Sequence, residues 1–119
     1  MPSVLIVDDD KDLLEMMEIV LKRSEMQVEC LSQGTGLFDT LSHFRPDIVI
    51  MDVYLGDADG RELCLQLKTS PDYKNIPIIL YSAGIITKDS IQQSLADEFI
   101  VKPFNVQQLL ARIARLTAN

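Results

Sequence analysis

Three adjacent carboxylates, Asp8, Asp9 and Asp10, follow the apolar run "SVLIV" at 3–7, and Asp12 comes one residue later. Like charges this close repel, and the cluster costs stability unless something offsets the repulsion. Further residues with chemistry close other apolar runs: Asp52 in "DIVIMDVYL", Ser82 in "IILYSAG" and Lys102 in "FIVKPF". Hard oxygen donors from two or three carboxylates, completed by a backbone carbonyl and waters, suit octahedral Mg²⁺. A carboxylate beside that cation can attack a phosphoryl group, because the metal screens both anions as they approach. A lysine and a hydroxyl reaching the phosphoryl oxygens would supply positioning and charge stabilisation. His43 is the one histidine, so the inventory excludes a Ser-His-Asp triad and a multi-histidine metal site. It reads as a surface residue near a helix end.

These residues come together only if the chain folds so that the ends of the apolar runs are neighbours. Val- and Ile-rich runs at 3–7, 47–51, 76–80 and 99–101, with a weaker one at 27–31, predict five strands. Three are nearly continuous in hydrophobicity, as expected of strands covered on both faces. Between them lie helical patterns. Leu13, Leu14, Met17, Val20 and Leu21 form one stripe in 11–23, with Asp10 or Asp12 as N-cap. Leu109, Leu110, Ile113 and Leu116 form another in 105–116 behind Asn105, and 60–69 carries Leu63, Cys64 and Leu67 before the stop signal "SPD". Shorter helices are predicted over 35–43 and 88–96. Strands and helices in alternation predict an α/β fold, a parallel sheet wrapped on both faces. Ligands of such folds sit outside the carboxyl ends of the strands.

The 119 residues fit a single domain over 1–119 with an ordinary core. Eleven Lys and Arg against eighteen Asp and Glu give a formal charge of −7, which argues against direct nucleic-acid or anionic-membrane contact. Cys30 and Cys64 make no metal-ligand spacing and read as small core residues in a reducing compartment. The opening apolar run is too short for a signal peptide or a membrane span, so the expected location is cytoplasmic.

With "LIVDDD", "PDIVIMDVYLGDADGREL", "IPIILYSA" and "EFIVKPF" in place, the chain resembles the receiver domain of bacterial two-component response regulators from about Val4 to Leu116. The resemblance implies a flavodoxin-like (βα)5 fold with strand order 2-1-3-4-5, and a partner that is a histidine kinase or a histidine phosphotransfer protein. It makes Asp52 the phosphoacceptor, and Asp8 and Asp9 the acidic Mg²⁺ pair, Asp9 the more direct. The backbone carbonyl of Tyr54 completes the protein ligands. Ser82 would hydrogen-bond the phosphoryl group and Lys102 would pair with it. A cis bond is implied before Pro103, and Phe99 stands at the aromatic switch position. The implied output surface is the fourth helix, fifth strand and fifth helix, acting on a downstream output domain or protein. Whether the domain stands alone or within a longer chain is open at this level.

Departures from the pattern carry expectations of their own. Gly56 stands where the family commonly has Pro, implying a more mobile loop after Asp52. The stretch from Ser82 to Lys102 is short, and "LADEF" replaces the usual "GAD", which bears on the fourth helix. Tyr54 and Gly84 flank the site where the family tunes dephosphorylation, and a bulky Tyr54 would shield an acyl phosphate. Two rival readings are a pseudo-receiver that binds without phosphorylation and a phosphatase with an Asp nucleophile. The second typically needs another acid two residues after the nucleophile, where Tyr54 stands. A flavin site would require phosphate donors that the acidic first loop lacks.

Overall fold

The computed structural model describes residues 2–84, 86–103 and 105–118. The two ends of the expected 1–119 domain, and Phe104 of the last motif, lie outside the described residues. The elements run β1 (Ser3–Val7), α1 (Lys11–Arg23), β2 (Gln27–Leu31), α2 (Leu37–His43), β3 (Ile48–Asp52), α3 (Gly60–Lys68), β4 (Ile78–Ser82), α4 (Lys88–Ser94), β5 (Glu98–Val101) and α5 (Val106–Thr117). All strand pairs are parallel, in the order β2-β1-β3-β4-β5. The expected α/β architecture and strand order are therefore present.

Alternation along the strands divides the core. Leu5, Val7, Val49, Met51, Ile78 and Leu80 point to the face covered by α2 and α3. Val4, Ile6, Ile50, Ile79 and Tyr81 point to the other, against Met17 and Leu21 of α1 and Leu109 and Ile113 of α5. Every residue of β3 and β4 is buried, which explains the continuous apolar runs that lead up to Asp52 and Ser82. Each fully buried large aliphatic side chain stabilises the fold by roughly 1.5–3 kcal/mol.

Several boundaries differ from those expected. β4 begins two residues late because Pro77 has no N–H to offer the ladder; its carbonyl accepts from Val49 N–H instead, at 3.0 Å. β3 and β4 then extend to Asp52 and Ser82, so both residues finish a strand. Asp10, not Asp12, is the α1 cap, accepting from Asp12 and Leu13 N–H at 3.1 and 3.2 Å. The 35–43 helix is α2 preceded by a 3₁₀ turn at Gly34–Gly36. The helix expected over 88–96 stops at Ser94 because Leu95 turns left-handed, φ +64°, and its N–H bonds back to Gln92 at 3.1 Å. That is the position where the "GAD" pattern has glycine. The following Asp97 ties the end of the connection down, accepting from Ile78 N–H at 2.7 Å and from Lys68 at 2.9 Å.

Candidate functional site

The sheet places β1 and β4 on either side of β3, so Asp8, Asp52 and Ser82 emerge at neighbouring strand ends, with Lys102 just beyond β5. Asp52 is the register partner of Tyr81, and Ser82 that of Val101, the residue before Lys102. Lys102 N–H donates to the Ser82 carbonyl at 2.9 Å, and the Lys102–Pro103 bond is cis.

Asp8 is wholly buried, and both its oxygens are engaged. Oδ1 accepts from Asp10 N–H at 2.8 Å. Oδ2 accepts from the Tyr81 hydroxyl at 2.5 Å and from Lys102 Nζ at 3.2 Å. Lys102 Nζ also donates to Asp52 Oδ2 at 3.2 Å, while Asp52 Oδ1 accepts from Tyr54 N–H at 3.2 Å. Burial pushes the Asp52 carboxyl above the usual carboxylate range, against the opposing pull of Lys102 and the Tyr54 N–H. Asp9 is exposed at the rim.

One carboxylate oxygen each from Asp8, Asp9 and Asp52 lies within 4.8 Å of the others. Octahedral Mg²⁺ holds oxygens at about 2.1 Å, so opposed ligands sit roughly 4 Å apart. The cluster matches that span to within a small side-chain adjustment. Charge matches too: three carboxylates against one ammonium leave two negative charges, the complement of a divalent cation. The donor set fits Mg²⁺.

Ser82 lies at the same edge, fully buried, but its hydroxyl is turned to Gly84, accepting from that N–H at 3.0 Å. Among the described residues no hydrogen bond joins it to Asp52. Phe99 sits apart, half-buried on β5, lining a cleft of about 230 Å³ with Ile86 and Thr87 of the preceding loop and with Lys88, Ile91 and Gln92 of α4. The Tyr54 side chain is half exposed, and its ring leans towards Gly84, where an added Cβ would meet Cε2 at 3.0 Å.

The family model for the response regulator receiver domain matches residues 4–114, nearly the whole chain. The chain belongs to the response regulator receiver domain family. It is 34 % identical over 119 residues to the DNA-binding response regulator MtrA of Mycobacterium tuberculosis, covering 98 % of this chain and 51 % of MtrA. A crystal structure from Chloroflexus aurantiacus superposes with a TM-score of 0.91 at 32 % identity, over 99 % of this chain and 98 % of that one. The signal receiver domain of a histidine kinase from Syntrophus aciditrophicus gives 0.89 at 33 %, over 99 % and 91 %. The chain spans about half the length of the curated relatives it matches.

Three groups around this receiver site were not singled out in the sequence. Tyr81 reaches from β4 to both Asp8 and Lys102. A phenol in an aliphatic run was the available signal, since a buried hydroxyl needs a partner. Asp57 accepts from Gly34 and Thr35 N–H, each at 3.0 Å, pinning the loop after Asp52 to the turn after β2. Gly56 beside it has φ +80°, a conformation closed to proline, which accounts for the departure at that position. Arg61 forks onto Asp59 at 3.0 and 2.7 Å, donates to Ser90 of α4 at 2.8 Å, and lies over the Tyr54 ring. Arg61 thus braces the loop that carries Tyr54. Cys64 is buried, and burial pushes its thiol up to about 12, the behaviour of an unreactive core cysteine.

Proposed function

We propose that this receiver domain, a signalling module of two-component systems, works by accepting a phosphoryl group on Asp52 from a phosphohistidine of a histidine kinase or a phosphotransfer protein. The observation that carries the reading is Lys102 Nζ shared at 3.2 Å between Asp52 and Asp8, beside a carboxylate cluster with two uncompensated charges. Asp8, Asp9 and Asp52, with the Tyr54 carbonyl, would hold Mg²⁺, which when bound supplies charge neutralisation for the transferring phosphoryl group. An Asp52 carboxylate oxygen attacks phosphorus, the P–N bond to the donor histidine breaks, and the imidazole leaves. Lys102 passes from Asp52 Oδ2 to a phosphoryl oxygen. The Ser82 hydroxyl turns from Gly84 N–H towards another, and Phe99 moves into the space this vacates. Hydrolysis of the acyl phosphate returns Asp52 and releases phosphate. The switching surface is α4, β5 and α5.

The finer assignments follow from the same chemistry. Self-phosphorylation and self-dephosphorylation are the whole of its catalysis. A formal charge of −7 favours protein partners for this domain, with any output residing in a separate domain or protein. Among the described residues no helix is long and apolar enough to cross a membrane, and a kinase-coupled role places the domain in the cytoplasm. The test is incubation with Mg²⁺ and acetyl phosphate, read by intact mass. The parent gains one phosphoryl group and Asp52→Asn gains none. Equal uptake by both would overturn the assignment, and a parent that neither binds Mg²⁺ nor gains mass would be a binding module of the same fold.

A further inference from the structure

Tyr81 stands beneath the charged groups at the strand ends rather than merely filling the core. It is 1 % exposed, on β4 directly beside Asp52 in the register. Its ring packs with the α1 and α5 face of the core, while its hydroxyl donates to Asp8 Oδ2 at 2.5 Å. The Lys102 ammonium lies 4.6 Å from its ring centroid, within the range of a cation over an aromatic face. One side chain therefore touches both members of the Asp8–Lys102 pair, through two different chemistries. Phenylalanine would keep the ring face and lose the hydroxyl; leucine would lose both.

We propose that Tyr81 is a positioning residue of the phosphoryl-transfer site: its hydroxyl fixes the Asp8 carboxylate, and its ring face fixes the Lys102 ammonium over Asp52. This rests on the receiver reading above. Asp8 Oδ2 is shared between a neutral donor and a cation. With the hydroxyl gone, a fully buried carboxylate short of a donor closes onto the remaining cation. The tightened Asp8–Lys102 pair then competes with Mg²⁺ for Asp8. The ring acts on a different step. It supports the ammonium at the height from which it reaches Asp52, and without that support the ammonium drops into the vacated space.

The experiment compares the parent chain with Tyr81→Phe and Tyr81→Leu. Mg²⁺ affinity is measured by calorimetry without a phosphodonor, and phosphorylation by acetyl phosphate is then timed at saturating Mg²⁺. Tyr81→Phe weakens Mg²⁺ binding roughly tenfold or more, the usual effect of removing a partner that orients a ligand. Tyr81→Leu also lowers the rate constant at saturating Mg²⁺, at least about tenfold below that of Tyr81→Phe, as misplacement of a charge-stabilising group does. A core-filling role predicts something else: unfolding temperature falls while Mg²⁺ affinity matches the parent, and that result overturns the proposal. Should Tyr81→Leu fail to fold, the Mg²⁺ titration of Tyr81→Phe decides alone. A parent that binds no Mg²⁺ and accepts no phosphoryl group overturns the receiver reading with it, whereas an active parent with an unaffected Tyr81→Phe overturns only the positioning role.

Discussion

Asp8, Asp9 and Asp10 are chemically identical and adjacent, yet each has a different task. Asp8 is buried beneath the site, Asp9 faces the cluster from the rim, and Asp10 caps α1. Asp9→Ala is expected to abolish Mg²⁺-dependent phosphorylation. Asp10→Ala leaves it largely intact, because the bond from residue 10 to Asp8 comes from the backbone N–H, and costs about 1 kcal/mol of stability through the lost cap. Equal losses of phosphorylation from the two would refute this division. Asp52 adds a pH prediction. Its carboxyl is raised by burial, so its protonated form stabilises the fold in acid, and that contribution is lost as pH rises through the raised value. In metal-free buffer, Asp52→Asn should gain stability over the parent as pH climbs from acid to neutral. Denaturant titrations showing the reverse trend would mean that Lys102 outweighs burial. The residue types at the strand ends were legible in the sequence because charge at the end of an apolar run stands out. The partners of Tyr81 were not, since a side chain's reach across two strands depends on register.

At the scale of elements, the strands and long helices could be read from periodicity because burial on one or two faces imposes it. The short connections could not, because turns answer to single backbone angles. Leu95 shows the difference. A branched residue at φ +64° ends α4 where glycine would do so without strain, and its side chain remains 48 % exposed. Leu95→Gly should therefore raise stability by about 1 kcal/mol, since relief of the left-handed strain exceeds the small burial lost. Thermal melts of the two proteins check it, and a lower midpoint would show that Leu95 packs more than its exposure suggests. Gly60 makes the opposite case. A Cβ there would lie 2.2 Å from the Asp52 carbonyl oxygen, so α3 can begin beside Asp52 only with glycine at that position.

For the molecule as a whole, the fold joins residues more than forty positions apart into one anionic pocket, in a chain already at −7. Folding therefore concentrates like charge, and the Lys102 ammonium offsets only part of it. A cation that binds this pocket in the folded state and not in the unfolded chain must stabilise the protein. At a hundred times its dissociation constant the gain is about 2.7 kcal/mol, which for a chain of this length raises the melting midpoint by about 10 °C. General screening of surface charge offers a rival explanation of any such rise. It depends on ionic strength and not on the ion. Melts in Mg²⁺ and in NaCl of matched ionic strength separate the two. The pocket explanation requires a rise in Mg²⁺ well above that in NaCl, and requires Asp9→Ala to reduce the Mg²⁺ rise to the NaCl level. Equal rises in the two salts would make the carboxylate cluster a feature of surface charge alone.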